Sequence, residues 1–153
     1  MYPESAGKAT VVDNVPLLTV GALIVDKEDN VLMIKTHKWS DKWGIPGGKV
    51  KWGEPLEGGL RRETMEETGL AIHDIRFITI QEAIKSKVFH KEAHFILVNY
   101  IASVNTVKPE VVLNDEAEDY MWVTPQIAYN MDINEYTKVL LQKYIEELAK
   151  QNG

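Results

Sequence analysis

Glu63, Glu66 and Glu67 are spaced i, i+3 and i+4 in the stretch Arg62-Glu63-Thr64-Met65-Glu66-Glu67-Thr68-Gly69. On a helix turning by roughly 100° per residue, that spacing puts three carboxylates on one side. Like charges so placed repel by roughly a few tenths of a kcal/mol per pair. A helix built only for solubility would place Lys or Arg among them. A hard divalent cation turns the repulsion into attraction, because Mg²⁺ takes oxygen ligands and completes its shell with waters and substrate phosphates. A metal so held beside a phosphate can neutralise charge, position water and stabilise a leaving oxygen. The competing reading is a solvated acidic face.

The elements that must position these acids follow from punctuation and period. Pro55 suits a first helical position and Gly69 the left-handed residue after a helix end, which predicts a helix over about residues 55–68. Leu56, Leu60 and Thr64 form its inward stripe, and Gly59, Glu63 and Glu67 a second line. Glycine within a helix costs roughly 1 kcal/mol against alanine, so Gly58-Gly59 points to a close approach there, by the Gly47-Gly48 loop. Strands are predicted over 17–25 and 31–35, joined as a hairpin through the polar turn 26–30. A short strand near 44–48, a strand over 72–83 and a hairpin loop at Ser86-Lys87 follow. The segment 93–104 is apolar on both faces, as a central strand covered on two sides requires. A loop over 108–119 leads to a strand over 120–123. Thr124 caps a helical turn with Pro125 at its first position. Residues 133–149 form an amphipathic helix with an apolar stripe of Tyr136, Val139, Leu140, Tyr144 and Leu148.

Gly48, Glu54 and the run Arg62 to Leu70 together resemble the Nudix box of the Nudix hydrolases. Trp43-Gly44-Ile45-Pro46-Gly47 and Trp122-Val123 also resemble the family's layout. Two positions depart from the usual pattern: Thr64, where a bulky aliphatic is common, and Gly58-Gly59, where alanines are common. The resemblance implies an α/β fold, an α/β/α sandwich with a mixed β-sheet between helices. It implies a metal-dependent pyrophosphohydrolase acting on a nucleoside diphosphate linked to another group, such as a nucleoside triphosphate, ADP-ribose or a nucleotide-sugar. The alternative is a non-catalytic nucleotide-binding sensor on the same fold. By resemblance, Glu63 and Glu67 are direct ligands of Mg²⁺ or Mn²⁺, Glu66 binds directly or through water, and the carbonyl of Gly47 or Gly48 adds another oxygen. Arg62 and Glu54 orient the glutamates, although Glu54 also reads as an ordinary helix-start carboxylate favourable to the dipole.

The general base is expected outside the helix. Glu116 is the first candidate, with Glu118 and Asp115 behind it, each also readable as a solvated loop acid. A box glutamate such as Glu66 is a further candidate. Lys49 is a candidate phosphate contact, and Trp39 and Trp52 candidate stacking partners for a base. Trp43 and Trp122 read as core anchors.

With 153 residues, 44% of them hydrophobic and 26% charged, the chain has enough material for one domain with a real core. Residues 1–14 read as a flexible tail or an edge extension. No cysteine is present, which excludes a disulfide framework and a thiol nucleophile. The cysteine-free composition and the polar start, without an apolar leader or span, fit a cytoplasmic protein with no membrane partner. The net charge of −6 argues against long nucleic acids as partners. A small nucleotide remains compatible, and a homodimer is allowed.

Overall fold

The computed structural model of the chain describes residues 15–84 and 93–152. The expected tail at 1–14 and the hairpin loop at Ser86-Lys87 lie outside them. Among the described residues, seven strands run β1 (Leu17–Val25), β2 (Val31–Thr36), β3 (Trp43–Gly44), β4 (Gly47–Lys49), β5 (His73–Ile84), β6 (His94–Ser103) and β7 (Ala117–Val123). Among the same described residues the helices are α1 (Leu56–Thr68), α2 (Pro125–Tyr129) and α3 (Glu135–Asn152), with a 3-10 turn at His37–Trp39 after β2.

The main sheet is ordered β3-β2-β1-β6-β5, with β4 paired to β1 and β7 to β2. The β1–β6 pair is parallel and the others are antiparallel, so the sheet is mixed. Alternate residues of β1 bury against opposite layers. Val20, Ala22 and Ile24 join Leu60 of α1, and Leu23 and Val25 join Leu140, Leu141 and Tyr144 of α3. β6 divides the same way, with Val98, Tyr100 and Ala102 in the first core and Ile101 in the second. The result is the expected α/β/α sandwich.

Several local expectations shift. The first two strands meet only at Val25 and Val31. Beyond that pair β1 turns to β6 and β4, while β2 pairs with β7 and β3, so the hairpin closes at its base alone. Pro55 is the N-cap of α1, with ψ 151°, and the helix proper starts one residue later. Gly69 does take the left-handed conformation, at φ 73°. β7 begins at Ala117, which puts Glu118 in the strand and leaves Glu116 just before it. Thr124 accepts from the Ile127 N–H, as a cap should, with Pro125 next. In α3 the buried positions include Thr137 and Leu141, and Val139 is exposed. The start explains the phase, because Asn134 Oδ1 accepts from Thr137 N–H and fixes that residue inward.

Candidate active site

Helix α1 lies against the sheet through Leu60 and Thr64, both fully buried. That packing turns the Glu63–Glu67 line toward strand β4. Glu67 is itself fully buried. Its Oε1 accepts from Gly47 N–H at 2.9 Å and its Oε2 from Lys38 Nζ at 3.3 Å. The same ammonium donates to the Gly47 carbonyl at 2.9 Å and stands 3.9 Å from Glu116 Oε2. Burial pushes the Glu67 carboxyl up to about 7, against the opposing pull of Lys38 and the Gly47 N–H.

Two glycines make this contact between helix and strand. A Cβ at Gly47 would lie 2.2 Å from the Val20 carbonyl, inside the β1–β4 pair. One at Gly48 would lie 2.4 Å from the Glu63 carboxylate. The predicted close approach is therefore real, but its helix side differs from the expectation. Gly58 has ordinary space around it, and Gly59 makes room for Glu54, whose Oε1 would sit 3.0 Å from a Cβ there.

Arg62 ties the acids together. Its Nε and Nη2 form a two-pronged pair with Glu54 at 2.7 and 2.9 Å. Nη2 also reaches the Lys49 carbonyl at 3.1 Å, and Nη1 donates to Glu63 at 2.9 Å and to Glu66 Oε2 at 3.4 Å. The Arg62 guanidinium and the Lys51 N–H hold the Glu54 carboxyl down at about 2. Arg62 is in turn raised by Glu54 and Glu63. Glu54 is thus more than a helix-start charge, because it fixes the arginine that aims Glu63. The carboxylates of Glu54, Glu63, Glu66, Glu67 and Glu116 outnumber the cations Arg62 and Lys38 that touch them.

A cavity of about 440 Å³ opens beside this group, lined by Lys38, Trp39, Gly47, Gly48, Lys49, Glu63 and Glu116 among polar and aromatic neighbours, and by Phe95, Leu97, Asn99 and Tyr136. Asn99 Oδ1 accepts from Gln81 Nε2 at 3.0 Å, and the same Nε2 donates to the Tyr136 carbonyl at 2.9 Å. Of the residues expected in the site, Gly47, Gly48, Lys49, Trp39, Glu63 and Glu116 line one space, and Glu67 lies just beneath it. Glu66 is exposed and touches the group only through Arg62. Trp52 is 91% exposed in the turn before α1 and is not brought to the cavity, because that turn carries it into solvent. Glu118 is exposed instead beside His37, whose Nδ1 lies 3.0 Å from it and 2.6 Å from Asp41. These three form an exposed group of ligand-type atoms at the surface, outside the box helix.

Sequence reasoning missed Lys38 and Asn99. Nothing in spacing marks Lys38, one of two lysines in the tryptophan-containing loop between β2 and β3. Asn99 did leave a signal: an amide in the middle of an otherwise apolar central strand.

The chain matches the family model described as NUDIX domain over residues 15–144. It is 32% identical over 105 residues to the nucleoside triphosphatase NudI of Escherichia coli K12, covering 66% of this chain and 74% of that protein. Among solved structures, it is similar to the MutT NUDIX hydrolase from Burkholderia pseudomallei, with a TM-score of 0.68, 26% identity, and coverage of 84% of this chain and 98% of that one. The MutT protein from Methanosarcina mazei Go1 superposes with a TM-score of 0.69 at 26% identity, over 90% of this chain and 98% of that one.

Proposed function

The chain belongs to the Nudix hydrolase family, enzymes acting on phosphoric anhydrides, and from that premise we propose that it is a divalent-metal-dependent pyrophosphohydrolase of nucleoside triphosphates. The observation that carries this reading is the convergence of Gly47 O and Glu67 Oε2 on one point, where the Lys38 ammonium already acts as a stand-in cation. Both are hard oxygen donors, Glu63 lies alongside over Gly48, and acidic groups outnumber basic ones. That donor set fits Mg²⁺ or Mn²⁺ and suits neither a soft metal nor a structural zinc. Glu63, Glu67 and the Gly47 carbonyl would hold the ion, with Glu66 joining through water. When bound, the ion supplies neutralisation of the anhydride oxygens and activation of water.

The chain's own residues do the rest. Arg62 and Glu54 keep Glu63 aimed at Gly47 and Gly48 of β4. Lys49 faces the phosphates from the cavity wall. Trp39 offers a face to the base, and the apolar wall of Phe95 and Leu97 excludes water from that end. Glu116, exposed at the cavity edge, takes the proton from the attacking water. The water oxygen bonds to phosphorus, the bridging P–O bond breaks, and the products are a nucleoside monophosphate and pyrophosphate. The nucleoside triphosphate class is favoured over ADP-ribose and nucleotide-sugars by the similarity to a nucleoside triphosphatase.

The test is a substrate panel of nucleoside triphosphates, ADP-ribose, nucleotide-sugars and dinucleoside polyphosphates with Mg²⁺ and with a chelator. Turnover of a triphosphate to monophosphate and pyrophosphate, abolished by the chelator, is the expected outcome. Metal-independent turnover, or release of inorganic phosphate alone, rejects the reading.

A further inference from the structure

Lys38 is placed as no purely structural lysine needs to be. Its Nζ lies 2.9 Å from the Gly47 carbonyl and 3.3 Å from Glu67 Oε2, the two oxygens assigned above to the divalent ion. We propose that Lys38 is a resident cation, which holds the ion's position in the metal-free enzyme and is displaced into the cavity when the ion enters. The inference rests on the metal reading of the preceding subsection and concerns only what this lysine does toward that site.

Three features support it. First, an ammonium and a divalent ion converging on these two oxygens repel each other across a few ångströms and so compete for the position. Second, the lysine has somewhere to go. Its side chain is one-third exposed and already lines the cavity. It already stands 5.3 Å from the Trp39 ring centroid and 3.9 Å from Glu116, partners it can keep while its tip swings off the two oxygens. Third, the contrast with Arg62 is built in. The planar guanidinium is fixed by pairs to Glu54 and Glu63 and to the Lys49 carbonyl. The lysine is a single charge on a flexible stem, held at its tip alone. Once displaced, that charge lies in the space where substrate phosphates must sit.

The decisive measurement is Mn²⁺ affinity, followed by the electron paramagnetic resonance of free Mn²⁺, for the wild-type protein, Lys38→Met and Lys38→Arg. Removing the competitor should tighten Mn²⁺ binding in Lys38→Met by about tenfold, the scale of one charge-assisted hydrogen bond. Lys38→Arg, which keeps the charge, should bind no tighter than wild type. Equal or weaker binding by Lys38→Met overturns the proposal, because a merely structural ion pair would give that result. A second measurement needs no variant. Acylation of Lys38 by an amine-selective reagent, read by peptide mass spectrometry, should rise when Mg²⁺ is bound to the wild-type protein. Unchanged labelling of Lys38 with Mg²⁺ bound also overturns the proposal. If wild type binds no Mn²⁺ at all, the metal reading itself fails. If it binds Mn²⁺ and the lysine has no influence, only the present inference fails.

Discussion

Asp26 and Glu67 are both buried, 5% and 0% exposed, yet the chain treats them in opposite ways. Asp26 sits in the turn between β1 and β2. Its Oδ1 accepts from the backbone N–H groups of Glu28 and Asn30 at 2.9 and 2.8 Å. Its Oδ2 accepts from Asn30 Nδ2 at 3.0 Å and Lys108 N–H at 2.9 Å. Burial alone would raise its pKa, but these donors outweigh it and the carboxyl is lowered. Glu67 has one backbone donor and one lysine, and burial wins. Backbone donors cannot leave, so Asp26 is finished as a structural tie between two loops. A lysine tip can leave, so Glu67 is a buried anion with a replaceable partner. In the proposed site a divalent ion would be the second partner for that carboxylate.

The largest expected consequence is at Glu67. Glu67→Gln should lower turnover in Mg²⁺ by about a hundredfold to a thousandfold, the scale of losing one preorganised electrostatic contact. The same substitution removes the burden of a buried charge. The metal-free melting temperature should therefore hold or rise. Steady-state kinetics and a thermal melt on the same preparation check both halves. A clear loss of stability would make Glu67 a second Asp26 and erase the distinction.

Asp26→Asn should do the reverse. One carboxamide oxygen cannot serve all four donors, and the NH₂ would face the two donors at the other position. Stability should fall by about 2 kcal/mol, while kcat stays unchanged because the turn does not reach the cavity. The pH dependence has a definite sign. A carboxyl lowered in the folded state contributes stability that is complete above its ordinary value of 3.8 and is lost as pH falls through the folded pKa. The stability gap between wild type and Asp26→Asn should therefore narrow in acid below about pH 4. A gap independent of pH would remove the charge from the account of Asp26.

The two sites also differ in how far the sequence announced them. The Glu63–Glu67 line, Arg62, Glu54 and the Gly47-Gly48 pair were legible because spacing on a helix and fixed glycines carry geometric information. The sandwich was legible because the strand over 94–103 is apolar on both faces. Asp26 was read only as one polar residue of a turn, since its four donors come partly from Lys108, far along the chain. Lys38 was silent for the same reason, and Asn99 showed only as a misplaced amide: their partners are brought by tertiary packing, Gly47 and Glu67 for one and Gln81 for the other. The pairing of β1 with β6 in place of a full hairpin with β2 is likewise a long-range choice. Trp52 erred in the opposite direction. Its type suggested stacking, and a local turn sent it outward.

Gly48 gives the smallest and most selective perturbation. It pairs with Val20 in the β1–β4 ladder, yet the side on which a Cβ would stand faces the site and not the neighbouring strand. A Cβ on Gly48 would meet the end of the Glu63 side chain at 2.4 Å, whereas one on Gly47 would meet the backbone of Val20 at 2.2 Å. A side-chain tip can swing aside and a paired strand cannot. Gly48→Ala should thus cost little stability but push Glu63 off the line set by Arg62, lowering turnover by about tenfold, as loss of ligand orientation does. Raising the Mg²⁺ concentration should recover part of that loss, since the displaced carboxylate weakens ion binding without removing it. Gly47→Ala should instead lower the melting temperature as well as activity. Measuring kcat against Mg²⁺ concentration alongside thermal melts for both variants separates the two cases. If Gly48→Ala melted as early as Gly47→Ala, both glycines would be structural in the way the Asp26 loop is. If it kept full activity at low Mg²⁺, Glu63 would hold no ion.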